Sequence, residues 1–128
     1  MIFDTHAHLD DEKFDSDRDR LIPKLREEYG VDLAMCVGAD MESSKRAIAL
    51  AEQYDFLYAA VGVHPHDAET MTEADLDTLR EWARHEKVKA IGEIGLDYYY
   101  DNSPREVQKY WFARQMQLAH EVGLPVVI

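Results

Sequence analysis

The sequence predicts an α/β fold built on a parallel sheet. Two observations carry the prediction. Short apolar runs alternate with longer amphipathic stretches along all 128 residues, in the order β-α-β-α-β-α-β-α-β. Most of the apolar runs are continuous rather than alternating, the pattern of strands buried on both faces. Regular βα alternation requires parallel strands joined by right-handed crossovers.

The strand-length runs are 1–5, 31–38 (VDLAMCVG), 56–63 (FLYAAVGV), 88–94 (VKAIGEI) and 124–128 (LPVVI). After the first, residues 17–29 read as a helix. Pro23 either lies in its first turn or kinks it. Ala47, Ile48, Ala51 and Tyr54 mark the next helix. Thr72-Glu73-Ala74-Asp75 opens another, with Leu76, Leu79 and Ala83 on one face. The last helix has the clearest start: Ser103 as N-cap, Pro104 at the first helical position and Glu106 completing a capping box. Val107, Trp111, Leu118 and Val122 recur at helical spacing, and Gly123 stops the helix.

Two parallel architectures fit this rhythm: a doubly wound open sheet, or a (β/α)8 barrel cut short. A Gly-rich phosphate turn after the first strand would mark the open sheet, but His6-Ala7-His8 stands there instead. A complete barrel takes about 250 residues, so this length holds about half of one. A half-barrel predicts strands in sequential order with helices on the outer face only. A doubly wound sheet predicts an order that reverses partway.

Composition bounds the function. Lys plus Arg is 14 and Asp plus Glu is 26, giving a net charge of −12, with 46% apolar and 31% charged residues. That is a globular balance, and the length suits one domain. So acidic a chain is not a general nucleic-acid coat, which wants a basic face. It leaves room for an acidic site whose metal ions in turn bind phosphate. No apolar run approaches the ~18 residues of a membrane span. The opening residues show neither the basic region nor the apolar core of a secretory leader. The single cysteine, Cys36, forms no internal disulfide, which predicts a reducing, cytoplasmic setting.

The candidate chemistry lies at strand ends. His6 and His8 form an H-x-H pair closing the first strand, where residues two apart point to the same side. Asp4 shares their parity and suits an acceptor for a ligand imidazole. Asp10, Asp11 and Glu12 read as solvated loop charges. Glu93 is a carboxylate in an otherwise apolar run, costly unless paired or metal-bound, and a bridging role between two ions is natural for it. Asp97 follows as a candidate for substrate contact. His64 ends the third run and is a stronger candidate than His66. His85 and His120 read as helix-surface residues, Cys36 as a small buried side chain, and Trp82 and Trp111 as helix-to-sheet core. Tyr98-Tyr99-Tyr100 reads either as a base-stacking platform or as aromatic loop packing. His6, His8, His64 and Glu93 thus fall at the same end of three strands, where α/β proteins build their sites.

Three segments, DTHAHLD (4–10), GVHPH (62–66) and GEIGLDYYY (92–100), together resemble the TatD family of metal-dependent hydrolases. The resemblance covers the whole chain. It implies the N-terminal half of a (β/α)8 TIM barrel of the amidohydrolase type, with residues 1–128 as a single domain holding about strands 1–5. It implies hydrolysis by a metal-activated water, commonly of DNA or another phosphodiester. His6, His8 and Glu93 would be metal ligands, with Glu93 bridging two divalent ions (Mg, Mn or Zn). His64 would face the substrate phosphate, making Glu93 and His64 the catalytic residues and His64 and Asp97 the substrate-binding ones. The family pattern continues past Ile128 with a His, then a further His and an Asp, so the resemblance implies a missing C-terminal half or self-association. Two other readings share these residues. One is an ester or amide hydrolase of the same site type, such as an aminoacyl-tRNA deacylase. The other is a non-catalytic half-barrel that binds metal or a partner.

Overall fold

The computed structural model describes residues 1–128 throughout. Four strands, β1 (Phe3–Ala7), β2 (Leu33–Val37), β3 (Leu57–Val61) and β4 (Val88–Ile91), alternate with four helices. The helices are α1 (Arg18–Glu27), α2 (Met41–Gln53), α3 (Glu73–Trp82) and α4 (Arg105–Val122). The sheet runs β1-β2-β3-β4 with every pair parallel. This sequential order, without reversal, is that of a barrel rather than a doubly wound sheet.

Side-chain parity puts the helices on one side. Ala34 and Cys36 of β2, with Leu57, Ala59 and Val61 of β3, join Ile22, Ala47, Ala51, Leu76, Leu79 and Leu118 from the four helices in one core. The alternate residues Met35, Val37, Ala60 and Ala90 form a small cluster on the other face. Beside that cluster lies an open hollow of about 720 Å³, lined by Phe3, Leu33, Met35, Tyr58 and Lys89 among others. This is the inner wall of a barrel. Each fully buried Leu or Ile in the helix-side core contributes about 1.5–3 kcal/mol.

Local chemistry explains the helix ends. Asp40 caps α2 through a reciprocal box, its Oδ1 accepting from Ser43 N at 2.7 Å while Ser43 Oγ accepts from Asp40 N at 2.9 Å. Thr72 and Asp75 make the same exchange at α3. Gly123, at φ 71°, ends α4 in the left-handed region that favours glycine.

Several expectations are corrected. The first strand is Phe3–Ala7 rather than 1–5, and it is largely exposed, because it lies at the sheet edge with its inner face open. Of the two placements left open for Pro23, the structure takes the one inside α1 rather than in its first turn. Ser103 does not cap α4. Its hydroxyl accepts from Glu69 N and donates to the His66 carbonyl, tying a 3-10 turn at Pro65–Thr70 to the helix start. Glu106 pairs with Lys109 instead of closing a box. The run 124–128 continues the sheet beyond β4, but through a single parallel bridge, Ile91 to Val126. Trp82 and Trp111 pack against the core as expected, each half-buried. No helix is long and apolar enough to cross a membrane.

Candidate metal centre

The carboxyl ends of β1, β3 and β4 bring the predicted residues together. His6 is the penultimate residue of β1 and His8 follows the strand. His64 lies three residues past β3, and Glu93 two past β4. Glu93 Oε2 lies 3.3 Å from His6 Nε2 and 3.7 Å from His8 Nε2, while its Oε1 lies 3.8 Å from His64 Nε2. One donor atom from each of His6, His8 and Glu93 falls within 4.8 Å of the others.

β2 supplies no side chain to this group, but the backbone of its last residue and of the glycine that follows fixes two members. His8 Nδ1 lies 2.9 Å from the Val37 carbonyl, which can only accept, so the ring proton sits on Nδ1. That leaves the neutral ring's Nε2 lone pair turned toward Glu93. Glu93 N donates to the Gly38 carbonyl at 2.7 Å. Behind them, the buried Ser44 hydroxyl donates to the Gly62 carbonyl and accepts from the Gly62 amide, at 3.0 and 3.1 Å. Gly38 carries no Cβ, and one there would lie 2.7 Å from Ser44 Cα, so glycine is what lets α2 approach so closely.

His64 is arranged the opposite way to His8. Its Nδ1 accepts from the His66 amide at 3.1 Å, so the neutral ring carries its proton on Nε2. Burial drives His64 below the ordinary imidazole range, against the pull of the Glu93 charge. The ring is therefore a neutral hydrogen-bond donor facing the centre.

Asp97 lies on the next loop. Its Oδ2 is 2.6 Å from His66 Nε2, and its Oδ1 accepts from the amides of Tyr99 and Tyr100. Burial opposes its charge, but the Tyr100 and Tyr99 amides and then His66 outweigh it and hold the carboxyl below its ordinary range. His66 thus belongs to this loop assembly, while His85 pairs with Glu52 on the surface and His120 is exposed in the last turn of α4.

Two readings change. Asp4 accepts from the His6 backbone amide at 3.1 Å rather than from an imidazole. Asp10 is buried, not a solvated loop charge. Its carboxylate meets Arg46 at 3.2 Å and accepts from the Cys36 thiol at 3.6 Å. That thiol is unpaired and buried. Burial, and after it the Asp10 charge, push it up to about 12.

Sequence reasoning missed two buried glutamines of α4. The Gln115 amide brackets Val63, accepting from its N at 2.8 Å and donating to its carbonyl at 3.1 Å, directly before His64. The Gln108 amide does the same for Asp97, at 2.8 and 3.1 Å. The available signal was their spacing. Both lie on the apolar stripe of α4, in step with Trp111 and Leu118, where a polar residue needs a buried partner.

Parallel βα units in sequential order, with two imidazoles and a carboxylate gathered at the carboxyl strand ends, define a half-barrel with a candidate metal centre. The chain belongs to the TatD related DNase family, whose match covers residues 3–128. It is 49% identical over 128 residues to the "Uncharacterized metal-dependent hydrolase YabD" of Bacillus subtilis, covering 100% of this chain and 50% of that protein. It is 37% identical over 127 residues to the "3'-5' ssDNA/RNA exonuclease TatD" of Cronobacter sakazakii, covering 99% and 48%. The crystal structure of YjjV, a TatD homologue from Escherichia coli, superposes with a TM-score of 0.88 at 35% identity, over 98% of this chain and 49% of that one. The chain spans about half the length of the curated relatives it matches.

Proposed function

We propose that residues 1–128 form a single half-barrel domain carrying the first metal-binding part of a TatD-type hydrolase that cleaves phosphodiesters of DNA or RNA. The observation that carries this is the proton placement on His8. With Nδ1–H committed to Val37, Nε2 offers a lone pair beside His6 Nε2 and Glu93 Oε2. Two imidazoles and one carboxylate are a donor set suited to Zn or Mn, and to Mg with added water. His6, His8 and Glu93 would hold one ion, and the second Glu93 oxygen is free to share with another. Bound there, divalent ions supply Lewis-acid charge that acidifies water and neutralises a phosphoryl oxygen.

The chain's own residues do the rest. Glu93 is kept oriented by the Gly38 carbonyl. His64, neutral and protonated on Nε2, donates a hydrogen bond to a non-bridging phosphate oxygen without itself becoming charged. Asp97 serves the substrate side through His66 and the tyrosine turn that it holds. The free, buried Cys36 supports a reducing, cytoplasmic setting.

Isothermal titration with zinc and cleavage of a 5′-labelled single-stranded oligonucleotide test this. Expected is zinc binding by the parent chain, lost in Glu93→Gln and weakened at least tenfold in His8→Gln, where the held ring is removed. His64→Gln should keep zinc affinity. In the length of chain that cleaves, it should lower kcat by about 10²-fold, the usual scale for losing one hydrogen-bond donor to the developing charge. Zinc affinity unchanged in both Glu93→Gln and His8→Gln would overturn the proposal. Cleavage of aminoacyl esters in preference to oligonucleotides would redirect it to the deacylase reading.

A further inference from the structure

The tyrosines after Asp97 have no structural task that accounts for their exposure. Their backbone is rigidly held: Asp97 Oδ1 takes the Tyr99 and Tyr100 amides at 3.2 and 3.4 Å, and Gln108 holds Asp97 from behind. Yet Tyr99 is 87% exposed and Tyr100 66%. Neither hydroxyl has a protein partner, whereas the Tyr110 hydroxyl has two. Aromatic loop packing would have buried these rings.

Their position joins them to the candidate centre. Tyr99 and Tyr100 stand perpendicular with centroids 4.7 Å apart. Tyr100 meets His66 at 5.6 Å, and His66 meets His64 at 4.2 Å. His64 in turn reaches Glu93 at 3.8 Å. An unbroken series of rings therefore leads outward from the carboxylate. In a nucleotide, one sugar separates phosphate from base. A phosphate received at His64 has this series within one nucleotide's reach of its base.

We propose that Tyr99 and Tyr100 form a nucleobase-stacking platform beside the metal centre, so that the site selects nucleotide phosphodiesters over simple alkyl ones. This rests on the reading of His64 and Glu93 given above. Stacking on a ring face is tolerant of base identity, because every base presents a π-face. Its dependence on salt should be shallow here. The neighbouring cations are already engaged: Arg105, which lies 4.4 Å over Tyr98, holds both Asp101 oxygens, and Lys109 holds Glu106. Neither is free to release counterions from a phosphate.

The test uses a dinucleotide containing 2-aminopurine, whose fluorescence falls when it stacks on an aromatic ring. The full chain is titrated with it in EDTA and again with zinc, at low and high salt. Expected is a quench at saturation in both, and an abasic dinucleotide that competes ~10- to 100-fold more weakly, the scale of one lost base–aromatic stack. The quench should vanish in Tyr99→Leu combined with Tyr100→Leu, with melting temperature and zinc affinity retained. Zinc affinity measured separately distinguishes the two readings. A quench without any zinc binding supports the platform and overturns the metal assignment. Absence of a quench in the parent, or a quench that survives both leucine substitutions, overturns the platform.

Discussion

Gly38→Ala disturbs the centre without touching any donor side chain. The added Cβ would overlap Ser44 Oγ and lie 2.7 Å from Ser44 Cα and 2.9 Å from its Cβ. Ordinary carbon contacts are about 3.5–4.0 Å, and Ser44 is fully buried, so α2 must recede from the sheet by roughly 1 Å. Overpacking of this kind costs about 1–3 kcal/mol. Moving Ser44 also breaks its two bonds to Gly62, and each buried group left unmade adds about 1–3 kcal/mol. Because the same recession of α2 both relieves the overlap and breaks the bonds, the terms do not add in full, and the expected loss is about 3–5 kcal/mol, a large share of a domain's total of about 5–15 kcal/mol. Because the Val37 and Gly38 carbonyls hold His8 and Glu93, zinc affinity should fall about 10- to 100-fold as well, the scale of disturbing a ligand's supporting bond. Urea denaturation followed by circular dichroism measures the first effect and zinc titration the second. Ser44→Gly combined with Gly38→Ala removes the clashing Oγ and Cβ, so the double variant should be less destabilised than the summed singles by about 1 kcal/mol or more. A Gly38→Ala protein within about 1 kcal/mol of the parent, binding zinc equally well, would refute the reasoning.

Three further outcomes are expected. Cys36, with its thiol pushed up to about 12, should resist iodoacetamide at pH 8 in the folded chain and react fully in urea; mass spectrometry of labelled protein reads this, and rapid native labelling contradicts it. Asp97 titrates below its ordinary range when folded, so its contribution is present above the unfolded value of about 4 and lost as pH falls through the folded one. Stability curves of the parent and Asp97→Asn should therefore converge in strong acid and separate above pH ~4; parallel curves contradict this. Arg46→Met strips the buried Asp10 carboxylate of its cation. Arg46 is half-exposed, so water discounts the usual 3–5 kcal/mol for a broken buried pair to about 1–3 kcal/mol, measurable as a shift in urea midpoint. Asp10→Asn with Arg46→Met should recover part of that loss.

What was legible in the sequence follows from the range of the interactions involved. β2 and β3 announce themselves as largely apolar runs because one face packs on the helices and the other forms the barrel's inner wall, whereas β4 is interrupted by Lys89 beside the open hollow. The histidines and Glu93 could be grouped because parallel strands deliver their carboxyl ends to one side, whatever the details of packing. Asp10 was misread because nothing nearby in sequence reveals the Arg46 guanidinium or the Cys36 thiol that receive it. Ser103 has ideal capping chemistry for α4, yet a partner 34 residues away claims its hydroxyl. Gln115 reaches Val63 across 52 residues. Local propensity carries no record of such partners.

The two glutamines of α4 give the helix a part in the timing of local motion. Each fastens a loop by both the N–H and the C=O of one residue, Val63 in one case and Asp97 in the other. A loop so held cannot open alone, since release breaks two bonds at once to a buried glutamine amide. The Val63 and Asp97 amide protons should then exchange with solvent at one shared rate, that of α4 lifting from the sheet, rather than at the faster and separate rates of surface loops. The His64 loop and the tyrosine turn would breathe together, as one cooperative unit spanning the mouth of the site.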